Sequence, residues 1–388
     1  MLDFGRVVVA PIVAWRAQRI RDPIERLRFL RRHAPAVQPA ASVNRRRMLW
    51  AVSGVLALAV VLGASYSVDP PPAPKAASAG PTKAPISDVW LVETQPQFET
   101  YSNGLRIETQ ATVTNGTRHG VVFDASDPER TFPLTEPAGI VYHTTESDMA
   151  PFNAENSGTL QHLGESILRY VARRHSYHYL IDRFGTVHRV VAEASPANHA
   201  GHSLWADKDR LYVNLNESFL GVSFETQTQR GDAPSQNITP AQIHSARVLT
   251  EMLRARYHIA PENCATHAQV SVNPKLYRIG EHTDWASNFP FAGMGLPDNY
   301  ELPVPALEKF GFIYDNDFVR ATGSRMWKGL LLAEQRLTME SARTGKPVAE
   351  IRTERRELYQ RLATIVRGQP QKDLVVNKES FNETGNSH

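Results

Sequence analysis

Twenty-one consecutive residues without a charge, MLWAVSGVLALAVVLGASYSV at 48–68, divide this chain in two. As a helix rising about 1.5 Å per residue, such a run spans roughly 30 Å, the thickness of a bilayer's hydrocarbon core. Arg45, Arg46 and Arg47 stand directly before it, and positive charge stays on the cytoplasmic side. The expectation is a transmembrane helix, with residues 1–47 inside and everything after Val68 outside. The rival reading is a cleaved export signal. NRRRMLW loosely resembles a twin-arginine signal, although 47 preceding residues are long for an ordinary signal peptide. Both readings export the body of the chain. No Cys follows LGAS, which argues against a lipoprotein.

Charge supports the same division. Residues 1–47 hold eleven Arg and three acids, a net +8, so the remainder carries −5 of a total of +3. A basic arm before a mildly acidic body argues against nucleic-acid binding by the body and ties the arm to a membrane. The arm either lies on anionic lipid as a basic amphipathic helix or serves only as a topology signal. Residues 69–86, with six prolines and five alanines, read as an extended spacer. The 41% hydrophobic content is enough for a packed core. Cys264 is the only cysteine, which rules out an intramolecular disulfide.

Beyond the spacer, residues 87–135 carry Asn103-Gly104 and Asn115-Gly116 turn signals and read as a β-rich lead-in. Residues 136–300 alternate strands and helices. AGIVYH and FLGVSFE are apolar strands, and YHYLIDRFGTVHRVV is a hairpin turning at Arg183-Phe184-Gly185. Leu160, Leu163, Ile167, Leu168 and Val171 share one helical face. Thr239-Pro240 supplies an N-cap and a first-turn proline for a helix whose stripe is Ile243, Ala246, Leu249, Met252 and Leu253. Strands mixed with helices predict an α/β architecture, a mixed central sheet flanked by helices. Residues 301–388 read as a helical pair broken near Gly345-Lys346-Pro347, with a polar tail.

Three places in the chain could supply metal ligands. His143 ends the AGIVYH strand, His267 lies in CATHAQVSVNP, and His282 and Asp284 fall in IGEHTDWASNFPF. Catalytic zinc takes three N/O ligands and keeps one position open. Spacing alone does not demand a site, because fourteen histidines make many such triples.

Five stretches in order change this: AGIVYHTTES, YHYLIDRFGTVHRVV, NHAGHS, LGVSFET, and THAQVSVNP followed by HTDWASNFPF. Together, over residues 136–292, they resemble the zinc-dependent N-acetylmuramoyl-L-alanine amidases of type 2, the relatives of peptidoglycan recognition proteins. The resemblance implies Zn²⁺ as cofactor, with His143, His267 and Asp284 as ligands. The 17 residues from His267 to Asp284 exceed the spacing of compact members, which leaves His282 as a rival ligand. Otherwise His282 falls where relatives place a catalytic lysine, and as a cation it could donate to an oxyanion. Tyr177 matches a tyrosine that some members use at the site; the alternative is an aromatic packed on the sheet. Relatives with a glutamate base carry it at the position of Ser223. Glu225, two residues on and on the same strand face, could approach from about 7 Å away. His199 is expected to line a substrate groove or to brace a loop, and Thr144 to contact substrate.

The resemblance implies hydrolysis of the amide between N-acetylmuramic acid and L-alanine, on peptidoglycan or muropeptides, by a domain outside the cytoplasmic membrane. The rival is a recognition module of the same fold that has lost the chemistry, and Ser223 is the best argument for it.

Overall fold

The computed structural model describes residues 88–228, 238–300, 309–314 and 324–368. The arm, the 48–68 run, the spacer and the polar tail lie outside the described residues. Among the described residues, no helix is long and apolar enough to cross a membrane. The described residues form one compact unit.

The central element is an eight-stranded mixed sheet. Its strands are β1 (Leu91–Thr94), β2 (Phe98–Tyr101), β3 (Arg106–Glu108), β6 (Gly139–Thr144), β7 (Tyr179–Ile181), β8 (Val187–Arg189), β11 (Phe219–Phe224) and β12 (Cys264–Thr266). Their order is β1-β2-β3-β8-β7-β11-β6-β12. The strands β7, β11, β6 and β12 run parallel. Both β6 and β11 are buried along their whole length. This suits near-continuous apolar runs covered on both faces. The lead-in strands do not stand apart: β3 pairs with β8, Ile107 opposite Val187, so β1–β3 extend the main sheet. A second, antiparallel sheet has the order β5-β4-β10-β9, from β4 (Gly120–Asp124), β5 (Thr131–Leu134), β9 (Leu204–Ala206) and β10 (Arg210–Val213).

The two faces of the main sheet differ. One carries Ile140, Tyr142, Leu220, Val222 and Phe224, packed with Ala246, Leu249, Met252 and Leu253 of helix α2 (Pro240–Tyr257). Thr239 caps α2 in a reciprocal pair with Gln242, which satisfies two otherwise unpaired N–H groups. On the other face, Leu180 packs with Val171 of α1 (Ser157–Arg173), while Val141, Phe219 and Ala265 meet Val122 and Tyr212 of the second sheet. His143, Gly221 and Ser223 alternate onto this second face. The register sets Gly221 beside Val141 and Ser223 beside His143.

After the short turn α3 (His267–Val270), the chain forms a small sheet from β13 (Val272–Asn273), β14 (Arg278–Ile279) and β15 (Ile313–Tyr314). Two 21-residue helices follow, α4 (Ser324–Thr344) and α5 (Val348–Gly368), joined through Gly345 at φ +74°. Arg352–Glu334 and Arg355–Glu340 pairs tie them together. Tyr359 of α5 packs against Phe312 with ring centroids 4.8 Å apart, which fixes the helical pair to the body.

Candidate metal centre

Strand β6 delivers His143 to a point where two other segments converge. His267 opens α3 immediately after β12, the strand paired with β6 on the other side from β11. Asp284 arrives on the loop after β14, held where Ala268 N–H donates to its carbonyl at 3.2 Å. The Trp285 indole N–H donates to the His143 carbonyl at 2.9 Å and pins that loop to the end of β6. Asp284 Oδ2 lies 3.2 Å from His143 Nδ1 and 3.0 Å from His267 Nδ1. Potential ligand atoms of the three residues all fall within 4.8 Å of one another, and all three are largely withdrawn from solvent.

The donor chemistry asks for a cation. A carboxylate oxygen only accepts hydrogen bonds. Burial, and then the charge of His267, pushes the His143 imidazole down to about 4, so His143 is neutral at pH 7. Burial works to raise the Asp284 carboxyl, but the charge of His267 and the contacts with both histidine rings outweigh it and hold it far below the usual carboxylate range. An ionised carboxylate facing two imidazole nitrogens in a dry site is the donor set a metal takes. His267 Nε2 is also buried without a hydrogen-bond partner.

Other residues named from the sequence are placed unevenly. The Tyr177 ring is 5.0 Å from that of His143, and its backbone adopts φ +61°, which turns it toward the centre. Burial first, then the charge of Asp284, keeps its phenol protonated throughout the ordinary pH range. Ser223, fully buried, lies near enough to ease that ionisation slightly. His282 does not join the ligand group; it stacks on His267 at 4.5 Å with the rings nearly parallel. Burial, then His267, lowers it to about 4.

Three further residues named from the sequence make other contacts. Glu225 is not in the clustered donor group. Its carboxylate accepts the Arg183 backbone N–H at 3.0 Å and lies against Gly164 of α1, with Asp182, Arg183 and His188 as its charged neighbours. Burial raises its carboxyl. Thr144 is buried, and its hydroxyl is committed to Glu146 and to Thr228 at 3.1 Å, so it braces two loops. His199 is 7% exposed and sits beneath His143, with Nδ1 3.1 Å from His143 Nε2 and Nε2 3.3 Å from the Phe219 carbonyl. Residues that the sequence reading passed over include Trp285, Asn216 and Gly221. No motif announces them, because their work is contact between distant segments.

Residues 133–286 match the family model described as N-acetylmuramoyl-L-alanine amidase. These residues are a type 2 amidase domain. The amidase domain is similar to N-acetylmuramoyl-L-alanine amidase AmiD of Escherichia coli K12, 31% identical over 127 residues, covering 30% of this chain and 45% of that protein. Among solved structures it is similar to Escherichia coli AmiD in complex with anhydro-N-acetylmuramic acid-L-Ala-D-γ-Glu-L-Lys, at 25% identity and a TM-score of 0.31, covering 44% and 61% of the two chains. It is also similar to AMPDH3 from Pseudomonas aeruginosa with anhydromuramic pentapeptide, at 21% identity and a TM-score of 0.31, covering 43% and 62%. The chain therefore spans under half the length of the curated relative it matches.

Proposed function

We propose that this chain is a zinc-dependent amidase that hydrolyses the bond between N-acetylmuramic acid and the L-alanine of the stem peptide. Its 48–68 run would tether it to the cytoplasmic membrane, with the amidase domain in the periplasm or outside, facing peptidoglycan or muropeptides. The convergence of His143, His267 and Asp284 carries this reading. The family match and the named activity of the curated relative support the bond assignment.

Zinc suits the donor set. With ligands at roughly 2.0–2.1 Å, tetrahedral neighbours stand roughly 3.3 Å apart, close to the 3.0 and 3.2 Å that separate the Asp284 oxygen from the two Nδ1 atoms. Held by these three residues, zinc would supply a nucleophile at neutral pH and a Lewis acid for the scissile carbonyl. The chain's own residues do the rest. Tyr177, protonated and beside His143, can donate its hydroxyl hydrogen to the developing oxyanion. His282, partly buried and stacked on His267, is neutral at pH 7 and can accept a proton and pass it to the leaving amine. Trp285 holds the Asp284 loop against β6 so that the ligands stay in register.

One observation favours a second reading, recognition without cleavage. Ser223, in register with His143, cannot act as the base that a glutamate there would supply. The purified chain incubated with peptidoglycan, with and without a zinc chelator, separates the two by mass spectrometry. Stem peptides beginning with L-alanine, lost on chelation and restored by zinc, are the expected result. Wall binding with no released peptide would establish the recognition module instead.

A further inference from the structure

The centre rests on a third histidine that belongs to no ligand set. The Phe219 carbonyl can only accept, so His199 Nε2, 3.3 Å away, carries the hydrogen. His199 Nδ1 is then a lone pair, and it faces His143 Nε2 at 3.1 Å. That contact is a hydrogen bond only if His143 carries its hydrogen on Nε2. That leaves His143 Nδ1 with the lone pair a metal ligand must have when a cation stands between it and Asp284.

The seat of His199 is built independently of that relay. A Cβ at Gly221 would lie 2.6 Å from His199 Cγ and 2.9 Å from its Cβ, so the imidazole occupies the space that only a glycine leaves on β11. The Asn216 side-chain oxygen accepts the backbone N–H groups of His199 and Ala200 at 2.9 and 2.7 Å and clamps the segment. Two devices on two segments therefore fix one ring.

We propose that His199 is a positioning residue that sets the tautomer and ring orientation of His143 for metal binding. This rests on the metal reading of the previous subsection. The test compares His199→Asn with His199→Leu, two side chains of nearly equal shape. Asn keeps an acceptor where Nδ1 stood; Leu does not. Zinc affinity is measured on the full chain by competition with a chromophoric chelator. The Leu variant is expected to bind zinc roughly 10- to 100-fold more weakly than wild type, and the Asn variant to stay close to it. A role in packing alone would favour Leu, so equal affinities, or tighter binding by Leu, would overturn the proposal. A wild-type chain that binds no zinc would instead overturn the metal reading. Should either variant fail to fold, the zinc-loaded wild type decides the matter by the ¹⁵N–¹⁵N coupling carried across a hydrogen bond: coupling between His143 Nε2 and His199 Nδ1 is expected, and its absence would refute the proposal.

Discussion

His143 and Glu225 lie near the ends of neighbouring parallel strands, β6 and β11, and the structure uses them in opposite ways. His143 meets His267 and Asp284 in a dry, tightly spaced group, backed by His199 and pinned by Trp285. Glu225 is turned toward α1, where the Arg183 backbone and the space over Gly164 take its carboxylate. The ligand half of the site is thus over-determined, while the acid that sequence spacing pointed to is spent on holding a hairpin. Metal binding requires three atoms at fixed separations. Proton transfer tolerates several directions of approach, and here Tyr177 and His282 flank the group from two of them.

The comparison breaks most sharply at Asp284. Asp284→Ala should empty the metal site and abolish cleavage, whereas His282→Ala should keep the metal and lose roughly 10²- to 10⁴-fold in kcat, the usual worth of a general acid–base. Metal analysis beside kinetics checks both; an empty site in His282→Ala would make His282 the ligand. Next comes pH. The unfolded chain takes up a proton near 6.5, while buried His143 resists one until about 4. His143 alone should therefore cost the metal-free domain on the order of 3 kcal/mol as pH falls from about 6.5 to about 4, with His282 adding to the loss in the same direction. Urea unfolding across that range checks it, and a flat profile would mean that His143 is not held neutral. Tyr177→Phe should lower kcat by roughly 10²-fold, about the loss of one oxyanion donor, and leave metal content unchanged. Glu225→Gln should affect cleavage least. A loss as large as that of His282→Ala would show that the carboxylate reaches the reaction after all.

Much of this architecture was legible in the chain. The apolar runs of β6 and β11, the Thr239-Pro240 start of α2 and the Arg183-Phe184-Gly185 turn all follow from local rules; the structure adds that Asp182 Oδ1 closes the hairpin by accepting from the Phe184 and Thr186 backbone N–H groups. The convergence of His143, His267 and Asp284 was not legible from spacing; only ordered motif resemblance pointed to it. What stayed hidden depends on pairing across long separations. The junction of β3 with β8 makes the lead-in part of the main sheet, and nothing in residues 87–135 alone could declare it. The burial of His199 depends on the missing side chain at Gly221, 22 residues away. Glu225 alternates onto the expected face, but a backbone N–H nearer than the metal group captured it.

The most direct measurement is the zinc content of the purified chain and of its His143→Ala variant, read together with thermal melting. One zinc per wild-type chain and none in a variant that still melts cooperatively is the predicted result. Stoichiometric zinc in the variant would contradict the ligand set on which the proposed chemistry depends.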